Sequence, residues 1–166
     1  MEAKQYTTRN DFGKLFQSIK KLGIGAEVGV RFGLFSKTIA KHWKGKIICV
    51  DLWKDREIQE VATVLLSEDR FLLHRNPSTA AAAQYENESL DWVYIDAGHS
   101  FEDIKADYEA WFPKVRTGGI ISGHDYGLND CIGVKQFIDS LGIEFNLTTD
   151  DTFDGVHYQS WWFVKQ

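Results

Sequence analysis

The strongest constraint on the fold of this chain is an alternation of two patterns. Short apolar runs at 25–30 (GAEVGV), 46–51 (KIICVD), 70–74 (RFLLH), 90–96 (LDWVYID) and 118–125 (GGIISGHD) read as strands. Between them lie stretches with helical spacing, at 33–43, 55–67, 77 to about 85, 101–112 and 131–141. An earlier helix, capped by Asn10 or Asp11, carries Phe12, Leu15, Phe16 and Ile19 and stops near Gly23. In the helix at 55–67, Ile58, Val61, Leu65 and Leu66 fall on one side. Strands that are apolar almost throughout and alternate with helices imply a parallel sheet covered on both faces.

Two closing strands follow, at 143–149 (IEFNLTT) and 158–165 (YQSWWFVK). The gap between them is shorter than the dozen or so residues a helical crossover needs, so the last strand is expected antiparallel. The expected fold is α/β and Rossmann-like: a doubly wound, mostly parallel seven-stranded sheet with an antiparallel last strand and helices on both faces. The length of 166 residues suits a single domain, 1–166. The aromatic run Trp161-Trp162-Phe163 reads as a half-buried edge strand, and such an edge could pair with a second copy.

Composition narrows the partners. The formal net charge of -5 argues against nucleic acid as the main partner. No apolar run reaches the roughly 20 residues that span a bilayer. The first residues lack the apolar core of a signal peptide. Cys49 and Cys131 are far apart, with no CxxC companion, and read as free thiols of a reducing, cytoplasmic compartment.

An open α/β sheet binds ligands beyond the carboxyl ends of its strands. The polar residues of this chain collect there. After the first strand comes Glu27-Val-Gly29-Val-Arg31-Phe-Gly33. Glycine permits positive φ and close approach of the backbone to a ligand. A dinucleotide fingerprint G-x-G-x-x-G would need glycine at 31 and 34, where Arg31 and Leu34 stand. Asp51 ends the second strand, about twenty residues on, where a carboxylate can accept both hydroxyls of a ribose. Asp96-x-x-His99 follows the fourth strand and His124-Asp125 ends the fifth. His42, His74 and His157 read as structural or solvated, and Asp150, Asp151 and Asp154 as a solvated charged loop.

Together these pieces carry a resemblance. The stretch VYIDAGHSFEDIKADYEAWFPKVRTGGIISGHDY, followed by GVKQFID, resembles a branch of the class I S-adenosylmethionine-dependent methyltransferases. That branch includes macrocin O-methyltransferase-like and cephalosporin hydroxylase-like proteins (the methyltransferase family 24 type). With the Glu27 loop and Asp51, the likeness covers about residues 24–140. It implies that Glu27, Gly29 and Gly33 frame the methionine part of S-adenosylmethionine and that Asp51 holds its ribose. Asn76 and Ser78 stand at the adenine, and Asp96 lines the cofactor. Asp96, His124 and Asp125 occupy the position where some members bind a divalent ion, and His99 matches a proposed general base. Two departures stand out: Arg31 replaces the middle glycine of the loop, and Pro77 stands where an Asp is usual.

The expected activity is methyl transfer to a hydroxyl of a small molecule or sugar. Alcohols are poor nucleophiles, so a base such as His99, or an ion such as Mg²⁺ or Mn²⁺, must help. The alternatives are a metal-independent methyltransferase of another acceptor class and a non-catalytic nucleotide-binding module. A nicotinamide oxidoreductase is disfavoured by Arg31 and Leu34.

Overall fold

The computed structural model describes residues 6–149, 151–153 and 156–166. Five strands form the parallel part of the sheet: β1 (Ile24–Val28), β2 (Lys46–Asp51), β3 (Phe71–Arg75), β4 (Leu90–Ile95) and β5 (Val115–Tyr126). Two further strands complete it, β6 (Asn146–Leu147) and β9 (Gln159–Val164), while β7 (Thr152–Phe153) and β8 (Val156–His157) form a small separate hairpin. The sheet order is β3-β2-β1-β4-β5-β9-β6. β9 runs antiparallel to both of its neighbours.

The expected α/β architecture is therefore present, with one correction. The aromatic strand is not an edge: β9 lies between β5 and β6, and Trp161 is fully buried. With β3 at the opposite edge, the edge on that side belongs to the two-residue β6, a contraction of the strand expected over 143–149. Such a short edge offers little backbone for another chain to pair with.

The helices divide between the faces. On one side lie α1 (Phe12–Ser18), α2 (Leu34–Ala40) and α3 (Arg56–Leu65); on the other lie α4 (Ser78–Ala82), α5 (Phe101–Trp111) and α6 (Ile132–Ser140). The period-two alternation of strand side chains sorts the core accordingly. Ile47, Cys49, Trp92 and Tyr94 meet Phe12, Phe16 and Trp43, while Ile48, Val50, Val93 and Ile95 meet Ile104, Trp111 and Ile138. Phe16 stacks flat on Trp92 at 4.1 Å. Gly25 makes room for that indole, since a Cβ there would overlap its ring atoms.

Local choices differ from the sequence reading at several ends. Asp11 precedes α1 without capping it and pairs with Lys14 at 3.0 Å. The expected face of α3 holds in part: Leu66, just past its end, is buried and Ile58 packs against the core, but Val61 is half exposed and Ala62 is buried in its place. α4 ends at Ala82, short of Tyr85, whose hydroxyl instead bonds His74 Nε2 at 2.7 Å. Asp55 and Ser100 cap α3 and α5 by accepting from backbone amides of the first turn.

At the amino ends of the strands, Asp91 is fully buried and accepts from the amides of Lys21, Leu22 and Gly23 and from Arg116 Nε. This network ties the α1–β1 turn to β4 and β5, on the side opposite the cleft. No helix among the described residues is long and apolar enough to cross a membrane.

Candidate active site

Sheet order reverses between β1 and β4, and a cleft of about 1260 Å³ opens there at the carboxyl ends of the strands. It is lined by Glu27, Gly29, Asp51, Asn76, Ser78, Asp96, His99, His124 and Asp125, among others. All the residues singled out from the sequence, except Gly33, thus line one cavity. Gly33 sits just behind it as the residue before α2, with φ of 82°.

The β1 side is built by the glycine loop. Gly29 has φ of 91°, and a Cβ on it would lie 1.9 Å from the carbonyl oxygen of Asp96, so β1 and β4 can approach only with glycine there. Arg31, in place of a glycine, accepts the same left-handed conformation with φ of 52°. Its amide donates to Asp51 Oδ2 at 2.8 Å, while Asp51 Oδ1 accepts from Trp53 N at 2.8 Å. Trp53 Nε1 closes the loop by donating to the carbonyl of Arg31 at 2.8 Å. Asp51 is thus held rigidly, with lone pairs remaining on both oxygens.

Glu27 is buried and accepts from the Ser36 hydroxyl. Burial pushes its carboxyl up to about 8, opposed by the Ser36 hydrogen bond and by Arg9. Ser78 lines the cleft, but its hydroxyl accepts from Trp111 Nε1 at 2.8 Å.

The β4–β5 side holds the imidazoles. Asp125 sits in the left-handed region, with φ of 59°. Its Oδ2 lies 2.9 Å from His99 Nε2 and its Oδ1 2.9 Å from His124 Nδ1. Burial would raise its pKa, but the hydrogen bonds from His124 and His99 outweigh it and hold the carboxyl well below the usual range. His99, half exposed, is shifted upward chiefly by its hydrogen bond to Asp125. Asp96 is shifted upward by burial, partly offset by Arg9 and His124.

Arg9 is the residue that sequence reasoning missed. Its Nη2 donates to Asp96 Oδ2 at 3.0 Å, its Nη1 reaches His124 Nε2 at 3.5 Å, and its guanidinium carbon lies 4.1 Å from the centre of the Phe35 ring. The backbone amide of Arg9 donates to both carboxylate oxygens of Asp151 at 2.9 Å. Asp151, expected as a solvated loop residue, is instead a structural anchor. Asp150 and Asp154 lie outside the described residues, as does the side chain of His157. The ring of Tyr158 stacks over His124, 6.3 Å away and tilted by 9°. No spacing rule marks Arg9 or Tyr158, because both arrive from outside the β–α repeat.

The donor set fits S-adenosylmethionine. A buried carboxylate on β1 suits an ammonium group, a glycine turn suits close approach of a ligand, and a fixed carboxylate at the end of β2 suits a ribose diol. The divalent ion fits less well. Asp96, His124 and Asp125 do bring one donor atom each within 4.8 Å of one another. Yet Arg9 already holds Asp96, and both ring nitrogens of His124 are engaged, by Asp125 and by Arg9. A hard ion there would sit beside the Arg9 guanidinium, whose positive charge opposes it.

Residues 22–126 match a family model described as a methyltransferase domain. The uncharacterized protein y4gI of Sinorhizobium fredii (strain NBRC 101917 / NGR234) is 36% identical over 66 residues, 39% of this chain but only 7% of that protein. Solved structures share the fold at low identity. A putative O-methyltransferase from Klebsiella pneumoniae superposes with TM-score 0.72 at 17% identity, covering 100% of this chain and 84% of that one. The O-methyltransferase TomG from Streptomyces achromogenes, in complex with SAM, gives 0.69 at 16%, covering 93% and 80%. A putative rRNA-methylase from Clostridium thermocellum gives 0.73 at 13%, covering 100% of both.

Proposed function

Since the chain belongs to the methyltransferase-domain family, we propose that it transfers the methyl group of S-adenosylmethionine to a hydroxyl of a small molecule or sugar, with His99 as the base. The observation that carries this reading is the His99–Asp125 contact of 2.9 Å at the mouth of the cleft that also holds Glu27 and Asp51.

Bound S-adenosylmethionine would supply an electrophilic methyl carbon. The protein's part is to align an acceptor and remove its proton. Asp125 accepts from His99 Nε2–H, which fixes the tautomer and leaves Nδ1 as the atom that takes the acceptor's proton. The same carboxylate stabilises the imidazolium that results. Glu27, Gly29 and Gly33 hold the methionine end, Asp51 the ribose, and Asn76 with Ser78 the adenine end of the cleft.

Arg9 supplies the positive charge beside Asp96 that the sequence assigned to Mg²⁺ or Mn²⁺, so the reaction proposed here runs on the base without a required ion. Seven carboxylates line the cleft against three cations, Arg9, Arg31 and Lys54, which disfavours a polyanionic acceptor such as RNA. Fold likeness to rRNA methylases does not weigh against this, because acceptor choice resides in the site and not in the fold.

Calorimetric titration with S-adenosylmethionine and S-adenosylhomocysteine, each with and without Mg²⁺ or Mn²⁺, tests the reading. Saturable binding of both, unchanged by metal, is expected, followed by turnover on a panel of hydroxylated acceptors. Failure of both nucleotides to bind under every metal condition would overturn it.

A further inference from the structure

A second cluster of metal-ligating atoms shares Asp125 with the first. One donor each from His99, Asp125 and Cys131 falls within 4.8 Å of the others. We propose that these three residues form a binding site for a borderline-soft divalent cation of the Zn²⁺ type, and that filling it takes His99 out of use as a base.

The donor set is nitrogen, oxygen and sulfur. Three protein ligands with a fourth position left to water is the pattern of open zinc sites. Zinc bond lengths place tetrahedral donors about 3.5 Å apart, so the cluster needs only a small inward adjustment. A hard ion such as Mg²⁺ would not choose a thiolate. Among the described residues no guanidinium contacts this cluster, in contrast to Asp96 and His124, which Arg9 holds.

The framework is rigid. Cys131 closes a short turn, its amide donating to the carbonyl of Leu128 at 3.0 Å. Two residues on, a Cβ at Gly133 would lie 2.6 Å from the carbonyl oxygen of His99 and 2.3 Å from the amide nitrogen of Phe101. Only a glycine there lets the start of α6 sit on the backbone of His99, which keeps the Cys131 turn beside the His99 loop.

Loading the site releases the Cys131 Sγ proton to solvent and replaces the hydrogen bond between His99 and Asp125. Neutral imidazole carries one proton and one lone pair. If the ion takes Nε2, the proton moves to Nδ1; if it takes Nδ1, the accepting atom is blocked. Either way His99 no longer accepts a proton from substrate.

Co²⁺ serves as the probe, added to the reduced, chelator-stripped full chain without cofactor or acceptor, so the outcome does not depend on methyl transfer. A thiolate-to-cobalt charge-transfer band in the near ultraviolet is expected. It should vanish in Cys131→Ser, persist in Cys49→Ala and disappear on addition of one equivalent of Zn²⁺. His99→Ala, a change on an exposed loop that keeps the fold, should weaken Zn²⁺ at least roughly tenfold. Absence of the band in the wild-type chain overturns the proposal, as does its survival in Cys131→Ser or undiminished Zn²⁺ affinity in His99→Ala. With an acceptor in hand, Zn²⁺ should inhibit the wild-type chain and lose that effect in Cys131→Ala.

Discussion

His99 Nε2 stands 2.9 Å from Asp125 Oδ2, and Asp125 adopts a left-handed backbone conformation, φ 59°, where it makes that contact. A non-glycine residue in this region costs on the order of 1 kcal/mol or more and persists only where its surroundings hold it. Here two imidazoles hold it, one on each carboxylate oxygen.

Asp125→Asn should leave S-adenosylmethionine affinity within about twofold and lower turnover by roughly 10²–10⁴, since an amide neither fixes the productive tautomer nor stabilises the imidazolium. The pH profile carries the sign. Asp125 raises the pKa of His99. Wild-type turnover should therefore rise with pH through an inflection above the ordinary imidazole value, and the variant's inflection should move to lower pH. A profile that does not move would remove His99 from the role of base.

Arg9→Ala should expose a divalent site that the wild-type chain masks. Without the guanidinium, Asp96 loses a partner at 3.0 Å and His124 Nε2 becomes free. Mn²⁺ binding, followed by electron paramagnetic resonance, should appear in the variant and be at least tenfold weaker in wild type. Stability should fall by about 1–3 kcal/mol, less than for a fully buried pair because both side chains retain some exposure. Equal Mn²⁺ affinity in the two proteins would show that Arg9 does not stand in the ion's place.

Glu27 makes stability depend on pH. Burial raises its folded pKa from 4.5 to about 8, so the folded state keeps a proton that the unfolded chain gives up. Its contribution is present in full below about pH 4.5 and is lost as pH rises through 8. Glu27→Gln should flatten this slope, gaining roughly 2–4 kcal/mol on wild type near pH 9. Above about pH 8, where Glu27 is ionised, it should also weaken S-adenosylmethionine, whose ammonium would lose a charged partner. Denaturant midpoints across this pH range, with calorimetry alongside, check both effects.

Asp91→Ala should cost about 3–5 kcal/mol, because the amides of Lys21, Leu22 and Gly23 and the Arg116 guanidinium would lose a buried acceptor. Cofactor affinity measured well below the melting temperature should not change, since the network lies at the opposite ends of the strands. A loss of affinity without loss of stability would contradict this division of the two ends.

Much of the molecule was legible in the sequence, because strand and helix signals are local. Each strand's apolar run and each helix's period announce themselves within a dozen residues. The rule that ligands sit beyond strand ends then gathers Glu27, Asp51, Asp96, His99, His124 and Asp125 without any tertiary information. Gly29 could be read as a tight turn, although the reason it must be glycine, the carbonyl of Asp96 behind it, appears only when β1 lies beside β4.

What the sequence left open depended on long-range placement. β9 inserts between β5 and β6 and so buries Trp161, a choice no local pattern encodes. Asp151 and Arg9 are 142 residues apart and meet only because the last hairpin folds back over the first turn. That meeting places a guanidinium against Asp96 where the motif alone suggested a metal ion. Periodicity sets which face of each element is apolar, whereas the charge balance of the cleft is decided by chain segments that the β–α repeat does not contain.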